Sequence, residues 1–298
     1  MKNMLELVEK PTISNIMQWA CSRLEDCGCR SSRPEVEILL EFLLNCGRTQ
    51  LYSKLQYIVT DEITERFNDF ITKRISGIPL QYIIKQAGFY GMRLSIEDGV
   101  FIPRPETEIL VEEVIRILAK DMARPAKILE FCTGSGNIAV ALTKHVPDCT
   151  IIAVDINTKA LELAKTNAYE QGVGERITFL HGCLEASWES DFHGERFDVV
   201  IANPPYIARH EIETLPREVQ YEPHNALDGG PDGLMFFRRI SGCGVYLNHG
   251  GYLVMEHGDS QESRVREIIE SSGFFDNYRS VPDLNGMARV MIARRAGG

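Results

Sequence analysis

The chain has no basic excess, no long apolar run, no repeat and no metal-type cysteine spacing, and each shortage excludes something. Among 298 residues, 32 Lys and Arg face 42 Asp and Glu, for a formal charge of −10. A protein that grips phosphates non-specifically shows the reverse balance, so direct nucleic-acid binding is not expected. The longest uncharged stretch, residues 240–255, is broken by Asn248, His249 and four glycines, too short and polar for a bilayer span. The opening MKNMLELVEK places acids where a signal peptide needs an apolar run, so a cytoplasmic location without membrane attachment is expected. Eight cysteines contain one close pair, Cys27-Gly28-Cys29, with no second pair or nearby His to complete a zinc site. Reduced thiols acting as small hydrophobes are expected, with no metal. Solenoids and low-complexity segments are absent from the pattern.

What remains is ordinary globular material, 44% apolar and 25% charged, enough for a sizeable core. The length permits one large domain or two ordinary ones. Residues 1–77 read as helices. Thr12 caps a segment with Ile13, Ile16, Met17, Ala20 and Leu24 at helical spacing. Pro34 opens a second that Gly47 stops, and Asp61 caps a third carrying Ile63, Phe67, Phe70 and Ile71. This small bundle shows no catalytic constellation, which leaves packing or partner recognition. Residues 78–104 change character. Alternation from Phe89 to Ile96 predicts one strand, Asp98-Gly99 a turn and Val100 to Ile102 its return, so a β-hairpin linker is expected. Pro105 then opens a helix.

Beyond Lys127, strands are predicted over 128–132, 151–155, 177–181, 199–202, 252–256 and 290–294, with helices between most of them. Apolar strands alternating with helices mean an α/β fold with a mostly parallel sheet covered on both faces. Glu130-Phe131-Cys132-Thr133-Gly134-Ser135-Gly136-Asn137 follows the first strand and opens a helix. Glycines there permit close approach of a ligand, or simply a tight turn. Asp155 ends the next strand roughly 20 residues on, where an acid can accept from ribose hydroxyls or cap the following helix. No Lys-Ser or Lys-Thr follows the glycines, which excludes a phosphate-gripping P-loop. The pair alone leaves NAD and S-adenosyl-L-methionine equally open.

Asn203-Pro204-Pro205-Tyr206 separates them. The prolines stiffen the backbone, so the Asn203 side chain and the Pro204 carbonyl can face one cleft. Two adjacent acceptors suit a planar NH2 group. Holding both hydrogens aims the nitrogen lone pair at a methyl donor and stabilises the charge that develops there. Tyr206 can lie against the planar group.

With these residues the chain resembles class I methyltransferases that modify planar nitrogens, whose motif is (N/D)-P-P-(Y/F). More narrowly it resembles the N5-glutamine methyltransferases that act on the GGQ glutamine of peptide chain release factors. The likeness runs from about residue 74 to 294, through Gly77-x-Pro79-x-Gln81-Tyr82-Ile83, Phe101-Ile102-Pro103-Arg104-Pro105-Glu106-Thr107-Glu108 and the Thr133 to Gly136 loop. It continues through Ala153-Val154-Asp155-Ile156, Asn203 to Ile207, Tyr221-Glu222-Pro223, Gly229-Gly230-x-Asp232-Gly233-Leu234 and Glu256-His257-Gly258. The resemblance implies a class I, Rossmann-like domain over 105–298 with a mostly parallel seven-stranded sheet. A helical substrate-recognition domain (1–77) and the hairpin linker (78–104) precede it. It implies S-adenosyl-L-methionine as donor, S-adenosyl-L-homocysteine as product, class I release factors as protein substrate, and a monomer. Donor contacts are expected from Glu130, Cys132, Thr133, Gly134, Ser135, Gly136, Asp155, Cys183, Leu184 and Asn203. Substrate contacts are expected from Asn203, Pro204, Pro205 and Tyr206, with Asn203, Pro204 and Tyr206 catalytic. Two departures stand out. Cys132 occupies a position where the family has Gly, and Gly182-Cys183-Leu184 stands where it has an acid near adenine. The competing chemistries are N6-adenine or N2-guanine nucleic-acid methylation and ribosomal-protein glutamine methylation. A donor-binding module without catalysis is the competing class. Glu106, Glu108 and His257 are left without a settled role.

Overall fold

Helix formation at the start of the chain is local chemistry. The Thr12 hydroxyl accepts from Asn15 N–H at 3.3 Å while Asn15 Oδ1 accepts Thr12 N–H at 3.0 Å, a reciprocal cap. A computed structural model describes residues 10–29, 31–121, 125–182, 192 and 194–297. Contacts divide the chain into two compact units, one of residues up to Lys85 with Pro216–Tyr221, the other Gln86–Leu215 with Glu222–Gly298.

The first unit contains α1 (Ile13–Asp26), α2 (Ser32–Leu43), α3 (Arg48–Ser53), α4 (Asp61–Ile75), α5 (Leu80–Ile84) and, from the later segment, Arg217–Gln220. Ile16, Leu39, Leu40, Phe67 and Ile71 form its core. The one-turn-and-a-half α3 buries only Leu51 and lacked a periodic signal. Thr60, rather than Asp61, is the cap of α4, accepting from Ile63 N–H at 3.3 Å; Asp61 sits in the first turn, where the helix dipole favours an acid. Arg74 pairs with Glu35 at 2.6 Å and with Glu218.

The second unit opens with a hairpin of β1 (Gln86–Phe89) and β2 (Met92–Ser95). Its turn is Tyr90-Gly91, with φ of 47° and 70°, and not Asp98-Gly99. A two-residue turn with both φ positive matches the twist of paired strands. The expected single strand over 89–96 therefore breaks in the middle, and Val100 to Ile102 form no strand. Tyr90 tolerates its left-handed backbone with help: its N–H donates to Glu108 Oε1 at 2.7 Å.

The main sheet has β3 (Lys127–Phe131), β4 (Thr150–Asp155), β5 (Ile177–His181), β6 (Phe197–Ala202), β7 (Leu247–Glu256), β8 (Phe275–Pro282) and β9 (Ala288–Arg295) in the order β5-β4-β3-β6-β7-β9-β8. Strands β3 to β7 run parallel; β9 is antiparallel to β7 and to β8. Strand β8 went unanticipated because it is an edge strand rich in polar residues, Asp276 to Ser280 being mostly solvent-accessible. Helices α6 (Thr107–Asp121), α7 (Asn137–His145), α8 (Thr158–Glu170), α10 (Met235–Ile240) and α11 (Glu262–Ser271) belong to this unit, α9 being the Arg217–Gln220 turn. Alternate residues feed the two faces. Ile128, Val199 and Ile201 join the core beneath α6 and α7, while Leu129, Val200 and Ala202 join that beneath α10 and α11. Every residue of β6 is buried, as a central parallel strand requires. Among the described residues no helix is long and apolar enough to cross a membrane.

Candidate active site

Strand register assembles the site. Phe131 is paired with Val154 on one side and with Ala202 on the other, and Ala202 is paired with Met255. The residues just beyond, Asp155, Cys132, Asn203 and Glu256, therefore stand in one row at the carboxyl ends of β4, β3, β6 and β7. Strand order reverses between β3 and β6, the position at which open α/β sheets take ligands.

The loop after β3 is held from below. Thr133 N–H donates to the Val154 carbonyl at 3.1 Å, and Gly134 N–H to Asp155 Oδ2 at 2.8 Å. Asn157 N–H takes the other Asp155 oxygen at 2.8 Å. Buried Asn167 on α8 donates to the Ser135 carbonyl at 2.9 Å and exchanges bonds with the Ser95 backbone, tying the loop to the hairpin. Gly136 has no substitute: φ is 78°, and an added Cβ would lie 2.9 Å from Ala164 Cβ. Cys132 adopts φ 59° with a side chain present, a conformation that costs about 1–2 kcal/mol for an L-residue. Cys132→Gly is accordingly expected within about 1 kcal/mol of wild type, relief of strain offsetting glycine entropy. Cys132→Val, β-branched in the same backbone, should lose about 1–3 kcal/mol in denaturant melts. Equal stability of the two variants would show that the strain is not there.

Glu130 is fully buried at the end of β3. Among the described residues neither of its oxygens nor the Thr133 hydroxyl finds a partner of good hydrogen-bond geometry. Burial pushes the Glu130 carboxyl up to about 8, the nearby Thr133 hydroxyl pulling the other way and the Asp155 charge adding to the rise. Burial also raises Asp155, against the backbone N–H groups of Asn157 and Gly134. An acid raised on folding contributes stability below its unfolded value near 4.5, which is lost as pH climbs through about 8. Glu130→Gln should therefore melt higher than wild type at pH 9 without ligand, by at least about 2–4 °C, and show little gain below pH 4.5. A pH-independent difference would mean that ionisation of Glu130 is not the cause.

At the end of β6, Asn203 Nδ2 donates to Thr107 Oγ1 at 3.1 Å. The Thr107 hydroxyl donates to Glu256 Oε2 at 2.6 Å, and the Tyr206 hydroxyl lies 3.4 Å from Glu256 Oε1. Burial lifts the Glu256 carboxyl to about 7, opposed by the Thr107 hydroxyl and the Arg289 charge. The Tyr206 carbonyl accepts Gln261 Nε2 at 2.8 Å, and Gln261 Oε1 accepts Gly258 N–H at 2.9 Å. The glycines of the Gly229–Gly233 stretch are shaped by this loop: a Cβ on Gly233 would lie 2.5 Å from the Tyr206 carbonyl oxygen, and one on Gly229 2.8 Å from Tyr206 Cα. Glu222, also buried, accepts Ile102 N–H at 3.0 Å and pairs with the Arg104 guanidinium. The segments around 102–107, 203–206, 222 and 256 thus interlock.

The expected residues fall into two neighbouring groups, Glu130, Cys132, Thr133, Gly134, Ser135, Gly136 and Asp155 after β3 and β4, and Asn203, Pro204, Pro205 and Tyr206 after β6. Cys183 and Leu184 lie outside the described residues. Glu108 serves the hairpin turn. His257 is buried, with Nδ1 at 2.7 Å from the Gly258 carbonyl, and burial lowers its pKa, which keeps the ring neutral. Sequence reasoning assigned no site role to Thr107, Glu222, Glu256, Asn167 or Gln261. The first three sit in segments that carry the family likeness, and that was the available signal.

Residues 15–84 match the family described as PrmC N-terminal domain, and residues 128–220 match a methyltransferase domain family. A release factor glutamine methyltransferase of Koribacter versatilis is 34% identical over 95% of this chain and 99% of its own. One of Geobacter sulfurreducens is 36% identical over 97% and 99%. A solved protein-(glutamine-N5) methyltransferase (release factor-specific) from Alicyclobacillus acidocaldarius shares 30% identity over 66% of this chain and 95% of its own, with a TM-score of 0.42. At such identity over nearly the full length of the relatives, the chain belongs to the release factor glutamine methyltransferase family.

Proposed function

We propose that the enzyme transfers a methyl group from S-adenosyl-L-methionine to the side-chain amide nitrogen (N5) of the GGQ glutamine in class I peptide chain release factors, modulating translation termination. The observation that carries this reading is the row at the strand ends, where Asn203 stands one strand from the glycine loop and Asp155 one strand beyond that. The donor fits the loop. Among the described residues Glu130 and Thr133 hold buried polar atoms without a partner of good hydrogen-bond geometry, and polar atoms of this kind call for a polar ligand. A Cβ on Gly134 would meet open space, so the backbone there is bare toward that side. Thr133, Gly134, Gly136 and Asp155 would hold the donor, with Glu130 beneath them and the start of α7 near Asn137 favouring a carboxylate. The bound donor supplies an electrophilic methyl group.

The chain's own work is to orient the acceptor. Asn203 Oδ1 and the Pro204 carbonyl accept the two amide hydrogens, and Tyr206 packs on the amide plane. That grip turns the nitrogen lone pair toward the donor side and stabilises positive charge on nitrogen as the bond forms. The departing proton becomes acidic as the methyl arrives, so no strong base is needed. The segment 1–77 is assigned to recognition of the protein substrate, the enzyme acting as a monomer without contacting nucleic acid directly.

Mass spectrometry of a release factor incubated with the enzyme and donor tests the reading. One added methyl on the GGQ glutamine is expected. An unmodified release factor, with methyl appearing instead on ribosomal protein or nucleic acid, would overturn it.

A further inference from the structure

We propose that Glu256, acting through the Thr107 hydroxyl, is a positioning residue that fixes which face of the Asn203 amide is presented to the substrate. The inference rests on the role of Asn203 as acceptor of the substrate hydrogens and adds the device that sets it.

Available hydrogens decide the orientation. Thr107 has a single hydroxyl hydrogen, and it lies on Glu256 Oε2 at 2.6 Å, the short distance of a bond to a carboxylate. The oxygen of Thr107 can then only accept. It therefore takes a hydrogen from Asn203 Nδ2, 3.1 Å away. A carboxamide is planar, with oxygen and nitrogen on opposite branches, so this bond turns Oδ1 away from Thr107. Among the described residues nothing donates to Oδ1, which is left for the substrate. Without an acceptor at Glu256, the Thr107 hydrogen is released to donate to Asn203 Oδ1. The amide then flips and shows its NH2 to the substrate NH2, donors facing donors.

The device is built to be rigid. Thr107 is wholly enclosed and Glu256 is 1% exposed, so water does not compete for either bond. The Tyr206 hydroxyl approaches the other Glu256 oxygen, and Arg289 and Glu106 supply the nearest charges. The three residues come from three elements, α6, the loop after β6 and the end of β7, and are separated by 96 and 149 positions in the chain. Such a long-range chain of buried polar side chains is costly unless every member is satisfied, and here the free valence points at the site.

The test uses the full-length enzyme with Thr107→Val, Thr107→Ser and Glu256→Leu, the last of which removes both acceptor oxygens. The side-chain amide signal of Asn203 is followed by NMR in the free enzyme, identified by its loss in Asn203→Asp. It should move in Thr107→Val and in Glu256→Leu and stay near its wild-type position in Thr107→Ser. Methylation of release factor should show kcat about 100-fold lower in Thr107→Val, the loss typical of a misplaced group, and within about threefold in Thr107→Ser. Calorimetry should give donor Kd values within about threefold of wild type throughout, the donor loop being untouched. An unmoved Asn203 signal in a folded Thr107→Val enzyme, or kcat within about threefold of wild type, overturns the proposal. Should Thr107→Val fail to fold, Glu256→Leu decides by the same two readouts. A wild-type enzyme that leaves release factor unmethylated would sink the proposed substrate instead, and the NMR comparison would still decide the orientation of Asn203.

Discussion

Asn203→Ala is expected to lower kcat by about 100- to 1000-fold, the usual cost of removing a group that acts on charge developing in the transition state. The side chain is half-buried, and its one bond among the described residues, Nδ2 to Thr107, leaves the acceptor oxygen directed elsewhere. Truncation removes that oxygen while leaving the wholly buried β6 strand in place. Donor affinity should remain measurable, because the glycine loop hangs from β3 and from Asp155. Steady-state kinetics at saturating donor, with calorimetry of the donor alone, separate the two effects. A kcat within about tenfold of wild type would remove Asn203 from the chemistry.

The second large effect is expected on binding. Asp155→Ala should weaken donor binding by roughly 10- to 150-fold, the value of a hydrogen bond to a charged group at about 1.5–3 kcal/mol. Each Asp155 oxygen already accepts one backbone N–H, from Gly134 and from Asn157, and each retains a further lone pair for a ligand hydroxyl. The substitution also releases the loop, so Asp155→Asn is the needed companion. It keeps one acceptor oxygen and should fall between wild type and Ala. Turnover at saturating donor should change far less than Kd in both. Unchanged affinity in calorimetry would return Asp155 to the role of a loop brace.

The sequence alone was legible wherever the physics is local. The Thr12 cap, the left-handed glycine at 136, the apolar run of β6 and the stiff Asn203-Pro204-Pro205-Tyr206 turn each depend on neighbours a few positions away. Open α/β sheets take ligands at the carboxyl ends of their strands, so two groups of candidate residues could be named from the sequence. Local reasoning failed at the hairpin, where residues 89–96 read as one strand and Asp98-Gly99 as the turn. The turn at Tyr90-Gly91 is supported from a distance, by a carboxylate on α6, Glu108, that accepts Tyr90 N–H. It failed also at β8, whose polar edge carries no buried pattern.

What only the tertiary structure decided is how those loops meet. Nothing in the order of the chain says that β3 lies between β4 and β6, or that β6 lies beside β7. Parallel pairing sets β6 beside β7, and the packing of α6 against β7 brings Thr107 to Asn203 and to Glu256 across 96 and 149 positions. Glu222 reaches Ile102 across 120 positions in the same way. A carboxylate in Glu256-His257-Gly258 looks the same in a string of letters whether it faces solvent or the buried hydroxyl of Thr107. Burial and hydrogen-bond geometry distinguish the two, and both are properties of the packed sheet.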